Sequence, residues 1–391
     1  MQYLLVLRCQ IKKNSKLSNM YDFILFEHSG LKNHCVDLSS IGRMLCDSGY
    51  TVAIADVTIE GKECRSSGLP ILEVKASRGA YKSHNAYMKA VFDELSQLTQ
   101  SFYAGSILSD TRLSWLKNVP SDKKVFLWAL RSFFFTEYKR PRLSRNWPSK
   151  LYNSIYNLRI TKRLKNVRFF VSNPIIRDEF ESLGYESWRL VIRQERTCSK
   201  LIPTIGKKNS STNFLIIGAL RPEKRIDLCI KALDEIKSNN LRLTIAGKAY
   251  TVHGYDKMIE TLSSSRSYIK RISKRLDEDE YNALITNCDY MVLSDEKQAS
   301  CVTNGTMSEA LLAGRPIIAP NYNPYKFIID NYKVGFLYEM HNHQSLLDAF
   351  YKAISTNPVY FAEGIEKFQK DLLYDKVISA FSTEVRKSLN C

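Results

Sequence analysis

Short runs of apolar residues alternate along the chain with longer stretches whose apolar residues recur every three or four positions. The segment YDFILFE (21–27) predicts a buried strand, 36–49 predicts a helix that ends on a glycine, and 50–57 predicts the next strand. A strand, a helix and a strand in this order predict parallel pairing with a right-handed crossover. The same alternation predicts further strands at 68–75, 105–109, 124–130 and 168–172.

The pattern lapses at 197–212, where polar residues, proline and glycine are typical of a linker between domains. A second series begins after it, and its first helix has Ile226, Ile230 and Leu233 on one face. This series predicts strands at 213–218, 241–247, 268–273, 290–294 and 316–320, and helices from near Asp277, over 304–313 and twice between 358 and 391. The chain is therefore predicted to be an α/β protein of two Rossmann-like domains.

Composition agrees with two domains and narrows the class of protein. A chain of 391 residues exceeds the ~250–300 residues that one hydrophobic core usually supports. Its 44% of hydrophobic residues exclude wholesale disorder. No apolar run reaches the ~18–20 residues of a membrane-spanning helix, and the N-terminal apolar stretch is too short for a signal peptide, so we expect a cytoplasmic protein. Nine cysteines without a C-x-x-C pair favour ordinary thiols over disulfides or a zinc site.

The net charge of +17 is concentrated in one part of the chain, the basic aromatic segment 131–168. This segment holds eleven lysines and arginines, one glutamate, and interleaved phenylalanine, tyrosine and tryptophan. Such a composition suits an anionic membrane surface, where each cation contributes ~1 kcal/mol, and single-stranded nucleic acid is bound by similar groups. Within it, Leu151, Ile155 and Leu158 share one helical face, which predicts instead that this helix packs on its own domain. For residues 133–150 we favour the interpretation that they contact an anionic membrane surface.

Candidate chemistry lies in the loops after the strands of the second series, because ligands of doubly wound domains bind at the carboxyl ends of strands. Arg221 and Lys224 flank a turn before a helix, and cations at a helix N-terminus suit a phosphate, although solvated turn residues are the alternative. A second loop offers Gly305 and Thr306 at a helix start. Glu309, one turn further on, can accept hydrogen bonds from both hydroxyls of a ribose, or can simply complement the helix dipole.

Five segments follow one another in the second series, namely GALRPEKRID, AGK, DEDEYNALITNCDYMVLS, SEALLAGRPIIA and DNYKVGFLYE. Their order resembles the nucleotide-sugar domain of GT-B glycosyltransferases. The resemblance is greatest to the retaining, glycogen-synthase-like branch called glycosyltransferase group 1, and it is specific over about residues 212–340. It implies a GT-B fold, in which two Rossmann-like doubly wound domains face a cleft. The acceptor-binding domain is then 1–196, completed by a C-terminal helix at 373–391 that crosses back, and the linker 197–212 leads to the nucleotide-sugar-binding domain 213–372.

The resemblance also implies roles for single residues. Lys224 falls on the lysine that neutralises the donor diphosphate, with Arg221 as a second cation. Glu309 falls on the second glutamate of the family's E-x7-E motif, which holds the donor ribose. The other donor-binding positions are Gly218, Gly305, Thr306, Met307, Arg275 and Leu276, of which the last two lie on the loop that lines the base.

Three positions depart from the family pattern. Ala219 stands where the family has an arginine directly after the strand glycine, and Arg221 is the candidate to supply that charge. Cys301 stands where the first glutamate of E-x7-E touches the donor sugar, and Asp295 or Glu296 is the candidate substitute. The histidine that usually follows the first domain's VFLWALRSFF strand is missing from the sequence.

On the acceptor side, His28, Gly30 and His34 follow the first strand. A histidine there can bind acceptor or phosphate, or act as a base, and a surface or capping histidine is the alternative.

We therefore expect a glycosyltransferase that moves a sugar from a nucleotide-diphosphate sugar to an acceptor hydroxyl. The expected acceptor is a lipid-linked glycan of surface polysaccharide synthesis, met by a peripheral protein at the inner face of the cytoplasmic membrane. We expect no metal and no other cofactor, since cationic side chains and helix N-termini neutralise the diphosphate. The alternatives are a GT-B-fold nucleotide-sugar epimerase, a catalytically degenerate subunit and, less favoured, a basic nucleic-acid-binding protein.

Overall fold

The computed structural model describes residues 21–28, 35–57, 68–106, 112–129, 147–206, 211–236, 240–249, 254–295 and 305–391. Within them lie two parallel sheets. The first has the strands β1 Tyr21–Leu25, β2 Val52–Asp56, β3 Ile71–Glu73, β4 Thr99–Ser106, β5 Lys124–Ala129, β6 Val167–Val171 and β7 Leu190–Ile192. Its helices are α1 Cys35–Asp47, α2 His84–Leu95, α3 Trp147–Arg163 and α4 Pro174–Ser182. The strand order is β3-β2-β1-β4-β5-β6-β7.

The second sheet has six strands in the order β10-β9-β8-β11-β12-β13. They are β8 Thr212–Ile217, β9 Leu241–Ala246, β10 Ile269–Ile272, β11 Tyr290–Val292, β12 Ile317–Pro320 and β13 Gly335–Tyr338. The remaining helices are α5 Ile226–Asp234, α6 Tyr255–Ser264, α7 Glu278–Asn287, α8 Gly305–Leu312, α9 Tyr325–Tyr332, α10 His343–Ser355, α11 Ala362–Asp371 and α12 Tyr374–Asn390.

Each sheet is parallel in every pair that joins its strands and reverses its strand order once, between β1 and β4 and between β8 and β11. This is the doubly wound arrangement that the alternating pattern predicts, and it confirms the predicted fold class. The predicted domain boundaries stay predictions. The first sheet ends before residue 196, and the second begins at Thr212, the last residue of the predicted linker.

The predicted strand at 105–109 is wrong in its position, because β4 begins six residues earlier. Its first residues include Thr99 and Ser101, which are buried although they are polar. The Thr99 hydroxyl donates to the Ser101 carbonyl at 2.9 Å and accepts from the Ser101 N–H at 3.2 Å. Since these polar groups satisfy each other, the strand start is buried without an apolar signal in the sequence.

Helix α12 crosses back from the second sheet onto the first, as the GT-B resemblance implies. Phe381 packs on Phe170 of β6 with ring centroids 5.5 Å apart. Near the last turn, the buried Arg168 guanidinium donates to the Ser388 carbonyl at 3.0 Å, and Glu384 accepts from the N–H of Ile192 at 2.6 Å. These contacts join the end of the chain to the sheet formed by its beginning.

The two segments that connect the sheets run side by side. The Cys198 N–H donates to the Leu372 carbonyl at 3.0 Å, and the Tyr374 N–H donates to the Cys198 carbonyl at 2.9 Å. Gln369, only 1% exposed, fixes the outgoing segment because its amide accepts from the Ile202 N–H at 2.8 Å and donates to the Ile202 carbonyl at 2.9 Å. The two sheets are therefore connected by two segments that hydrogen-bond to each other, and not by a single linker.

Helix α3 buries a different face from the one that its sequence predicts. Leu158 does pack against the first-domain core, but Ile155 is 42% exposed. The buried face instead carries Asn157 and Thr161, whose side chains hydrogen-bond to the Leu113 N–H at 2.8 Å and to a tyrosine hydroxyl at 2.6 Å. The predicted packing of the apolar stripe is thus wrong for Ile155, since hydrogen bonds to neighbouring elements decide the rotation of the helix.

Arg168, counted among the cations of the basic aromatic segment, does not lie on its surface. The side chain is 1% exposed, stacks on the Trp188 ring with 4.2 Å to the ring centroid, and faces α12. Burial lowers its pKa to about 10. Residues 131–146 of the segment lie outside the described residues. In the described part of the chain, none of the helices combines the length and the apolar character that crossing a membrane requires.

Candidate functional site

The predicted donor residues gather at the point where the strand order of the second sheet reverses. Gly218 and Lys224 follow β8, Asp295 follows β11, and α8 begins at Gly305 in the connection between β11 and β12. Crossover loops on the two sides of this reversal leave the sheet in opposite directions, and the crevice between them is where doubly wound domains bind ligands. Strand order therefore brings together residues as far apart in the chain as Gly218 and Gly305.

Two glycines shape the floor of this crevice. Gly218 has φ +105° and Gly247 has φ +129°, a region that side chains disfavour. A Cβ atom on Gly247 would lie 2.0 Å from the Gly218 carbonyl oxygen, so the loops after β8 and β9 touch backbone to backbone. A Cβ atom on Gly218 would lie 3.9 Å from the Thr306 hydroxyl oxygen. The predicted positions Gly218 and Thr306 are thus neighbours across the crevice.

Lys224 and Asp295 face each other at this crevice, with 3.9 Å between Nζ and Oδ1. Both side chains are largely shielded, at 15% and 24% exposure. The Asp295 carboxylate accepts from the Tyr325 hydroxyl at 3.1 Å, and its carbonyl accepts from the Tyr322 hydroxyl at 2.8 Å. The Ser294 hydroxyl donates to the Lys224 carbonyl. An acid held by two tyrosines therefore stands next to the lysine.

The remaining donor positions of the second domain differ in exposure. Arg221 is exposed at the start of a 3₁₀ turn, Pro222–Lys224, and α5 begins two residues after that turn. Arg275 is exposed and Leu276 is half-buried on the loop between β10 and α7. Met307 is 4% exposed, so its side chain packs in the core. At this position, only main-chain groups at the start of α8 remain for contact with a ligand.

Glu309 has protein partners on both carboxylate oxygens. Tyr281 donates its hydroxyl to Oε2 at 2.6 Å, and Arg196 donates Nε–H to Oε1 at 3.0 Å. The Thr306 hydroxyl also hydrogen-bonds to Tyr281. Burial first, and then the Glu309 carboxylate, raise the pKa of Tyr281 above its ordinary value, so the phenol stays a donor. The four side chains form a continuous hydrogen-bonded row from α8 to the segment that follows β7.

His28 lies at the corresponding reversal of the first sheet, after β1. It is 5% exposed, with its ring centroid 4.9 Å from that of Trp115 and 6.4 Å from that of His84. Its interpretation as a surface histidine is therefore wrong. Burial, and then the His28 charge, lower the pKa of His84 to about 4, so this ring is neutral at pH 7.

Sequence reasoning missed several residues of these sites. The buried Glu27 carboxylate lies against Gly105 of β4, whose Cβ would be 2.4 Å from Oε2. Arg196 and Tyr281 were not predicted, since a single arginine before a linker and a single tyrosine in a polar helix carry no periodic or motif signal. Tertiary structure alone brings them to Glu309.

Some predicted positions lie outside the described residues, namely Gly30, His34, Glu296 and Cys301. Asp295 is the candidate acid that the structure describes. In the described ranges, no three histidine, cysteine, aspartate or glutamate side chains are grouped as metal ligands. That the reaction needs no metal stays a prediction.

Comparisons with known proteins bear on both halves of the chain. Residues 200–368 match the family of glycosyl transferases group 1. The whole chain is similar in structure to the lipopolysaccharide outer core galactosyltransferase WaaB in its apo form, at TM-score 0.66 and 12% identity, covering 93% of this chain and 99% of that one. It is also similar to Anabaena Alr3699/HepE in complex with UDP, at TM-score 0.68 and 11% identity, covering 94% and 99%. Sucrose-phosphate synthase from Thermosynechococcus elongatus gives TM-score 0.65 and 13% identity, covering 94% and 98%. No protein of curated function matches the sequence.

Proposed function

We propose that this chain, which has the GT-B fold and matches the group 1 glycosyl transferases over residues 200–368, moves a sugar from a nucleotide-diphosphate sugar to a hydroxyl of a lipid-linked glycan. The observation that carries the proposal is the meeting of Lys224, Thr306 and Glu309 at the reversal of the second sheet. A cation, a hydroxyl at a helix N-terminus and a carboxylate in one crevice match the diphosphate and the ribose of such a donor.

The reaction breaks the bond between the anomeric carbon and the diphosphate, so negative charge grows on the leaving group in the transition state. Lys224 stabilises that charge, together with Arg221 and the N–H groups at the start of α8, which include Gly305 and Met307. Glu309 holds the ribose hydroxyls and fixes the donor in place. Arg275 and Leu276, which follow β10 at the same edge of the sheet, line the base.

Asp295 is the candidate to contact the donor sugar in place of the family's first glutamate. Its carboxylate already lies beside Lys224 and accepts from the Tyr325 hydroxyl, and the Tyr322 hydroxyl holds the main-chain carbonyl of the same residue. On the acceptor side, His28 follows β1 at the reversal of the first sheet and contributes to binding of the acceptor, with Gly30 and His34 in the same loop.

The proposed acceptor class is supported by an exposed surface on α3. Tyr152 is 58% exposed and Ile155 is 42% exposed on one face of this helix. The Arg112 guanidinium lies 5.3 Å from the centroid of the Tyr152 ring and 4.0 Å from that of Tyr156. Aromatic and aliphatic groups beside cations suit the headgroup region of an anionic membrane.

This surface also has a useful position. Helix α3 follows β5, and a helix that connects parallel strands runs against them, so its N-terminal end lies at the edge where the strands of the first sheet end. That edge carries His28. A protein docked through this end of α3 at the inner face of the cytoplasmic membrane has its acceptor side next to lipid-linked substrates.

The experiment that tests the reaction is a transfer assay with a panel of nucleotide sugars and lipid-linked acceptors. UDP-sugars are the first donors to try, since the similar HepE structure holds UDP. Formation of a glycosylated lipid, unchanged by EDTA, is the expected result. An epimerised donor without transfer points to the epimerase alternative, and binding without turnover points to a degenerate subunit.

The experiment that tests membrane docking is sedimentation with phosphatidylglycerol vesicles and with phosphatidylcholine vesicles. We expect binding to the anionic vesicles alone, and loss of most of it in the Tyr152→Ser, Ile155→Ser variant. The matched control is Tyr351→Ser, Tyr360→Ser, which removes two exposed rings, 48% and 78% exposed, from the second domain. Equal loss in both variants would contradict docking through α3, and tight RNA binding without vesicle binding would favour the nucleic-acid alternative.

A further inference from the structure

Arg196 connects the first domain to the proposed ribose carboxylate. It follows β7 by four positions, at the start of the connection between the sheets, and donates Nε–H to Glu309 Oε1 at 3.0 Å. Its side chain is 51% exposed and that of Glu309 is 27% exposed. An ion pair so open to water is weak, and it can be exchanged for a stronger partner at little cost.

A ribose competes directly with this contact. Two ribose hydroxyls need one acceptor site on each carboxylate oxygen, and in the structure Tyr281 and Arg196 each donate to one of them. Glu309 Oε2, which accepts from the neutral Tyr281 hydroxyl, can accept from a ribose hydroxyl at the same time. Oε1 faces the larger Arg196 guanidinium, which is hydrogen-bonded to it at 3.0 Å, so a ribose hydroxyl has to compete with Arg196 for this oxygen.

The guanidinium has a second partner within reach. Arg196 Nη2 lies 3.7 Å from the Cβ position of Gly305, the first residue of α8. The proposed diphosphate lies at this helix start, beside the Thr306 hydroxyl. A guanidinium fork matches the geometry of phosphate oxygens, and its hydrogen bonds to a phosphate are stronger than those of an exposed ion pair.

The family arginine directly after the strand glycine is also missing, because Ala219 occupies its position. Resting on the proposed function, we infer that Arg196 exchanges partners when the donor binds: it leaves Glu309 to the ribose and binds the diphosphate from the first-domain side. Arg196 thereby adds to the positive charge that Lys224 and Arg221 bring to the diphosphate, and it ties donor binding to the position of the first domain relative to the second.

The exchange makes a distinct prediction for selectivity. A nucleoside has to displace Arg196 from Glu309 and gives it no new partner. The ribose of a nucleoside diphosphate also displaces Arg196 from Glu309, but its diphosphate then gives Arg196 a new partner. Arg196 therefore favours the diphosphate over the nucleoside, which an arginine with a purely structural role does not do.

The test is calorimetric titration of UDP, ADP, GDP and dTDP, and of the matching nucleosides, into the wild-type protein and into Arg196→Ala and Arg196→Lys. We expect Arg196→Ala to bind its diphosphate ligand at least about 10-fold more weakly, with nucleoside affinity unchanged or higher. Arg196→Lys restores part of the diphosphate affinity, since it keeps the charge and loses the fork. The control Arg242→Ala removes an exposed arginine from β9 and leaves both affinities unchanged.

The outcomes separate this inference from the proposed function. Unchanged diphosphate affinity in Arg196→Ala, or an equal loss of diphosphate and nucleoside affinity, overturns the exchange while the proposed function stands. A wild-type protein that binds none of the four diphosphates overturns both. Thermal unfolding of each variant is measured alongside, and Arg196→Gln, which keeps length and polarity without charge, replaces Arg196→Ala if that variant is unstable.

Discussion

Lys224 and Asp295 lie 3.9 Å apart, Nζ to Oδ1, on the two loops that flank the reversal of the second sheet. The two loops are joined as well, because the side-chain hydroxyl of Ser294, the neighbour of Asp295, donates to the main-chain carbonyl of Lys224. The proposed leaving group and the proposed sugar meet at this point. A fixed cation and a fixed acid side by side give the site two groups whose separate contributions can be measured.

Lys224→Ala is expected to lower kcat/KM for transfer by about 100-fold or more, because a positioned charge that stabilises the leaving group acts mainly in the transition state. Stability is expected to fall by no more than about 1 kcal/mol, since the Nζ–Oδ1 separation of 3.9 Å is too long for a hydrogen bond and the Asp295 carboxylate keeps the Tyr325 hydroxyl as a partner. Steady-state kinetics and urea unfolding check both. Lys231→Ala on α5 is the control of equal charge change, and turnover like wild type in Lys224→Ala would sink the assignment.

Asp295→Asn separates a role toward the sugar from a role toward the diphosphate. It keeps the shape of the side chain and removes a negative charge near the proposed diphosphate. We therefore expect UDP to bind as tightly as to wild type or more tightly, and kcat to fall at least about 10-fold. Titration with UDP and kinetics with the donor sugar measure the two effects. Full activity in this variant would show that Asp295 does not replace the family's first glutamate.

Tyr281→Phe removes the hydroxyl that orients Glu309. One lost hydrogen bond to a carboxylate corresponds to about 1–2 kcal/mol, so we expect the KM for the donor to rise roughly 5- to 30-fold with kcat little changed. Tyr268→Phe is the control, since its hydroxyl binds Asp234 at the C-terminal end of α5, the end away from Lys224. A fall in kcat without a change in KM would argue that Glu309 acts on something other than the ribose.

Gly247→Ala is expected to destabilise the protein by at least about 3 kcal/mol, because a Cβ would meet the Gly218 carbonyl oxygen at 2.0 Å and φ is +129°. Gly49→Ala supplies the comparison. It also has a positive φ, +91°, but nothing lies within 4 Å of its Cβ position, so only about 1–2 kcal/mol of backbone strain is expected. Chemical denaturation of the two variants measures the difference, and equal losses would contradict the close approach of the two loops.

Stability is expected to fall as the pH drops from about 6.5 toward 4. The folded-state pKa of His84 is about 4, below its ordinary value near 6.5, so between these values the unfolded chain binds more protons than the folded protein. The free energy of unfolding therefore decreases as the pH falls, by on the order of 1–2 kcal/mol between pH 7 and pH 5. His84→Asn should reduce this dependence. The same pH dependence of unfolding is measured on His343→Asn, which removes a surface histidine beside Glu235 and so controls for the loss of a histidine as such.

Much of the architecture could be predicted from local sequence because the buried strands are continuously apolar. Phe23, Ile24 and Leu25 in β1 and Phe214 to Ile217 in β8 are all essentially buried, as their runs of large apolar residues predict. The start of α7 was equally clear, since Asp277 and Glu280 form a capping box. By contrast, β7 and β13 do not stand out in the sequence. β7 follows directly on a 3₁₀ turn, Ser187–Arg189, and β13 begins on a glycine and is only partly buried over its first three residues, so neither forms a long run of buried apolar residues.

The sequence by itself determined the two α/β series, the segments after the strands that carry Lys224, Thr306 and Glu309, and the excess of positive charge, because apolar periodicity, turn residues and charge are local properties. Tertiary structure alone decided which face of α3 is exposed, that Arg168 is buried under α12, and that Arg196 reaches Glu309. Arg196 and Glu309 are 113 positions apart, and Arg168 and Ser388 of α12 are further apart still. The sequence near each of these residues carries no signal for the contact. The contacts follow from how the sheets and their crossing segments pack, which only the folded protein specifies.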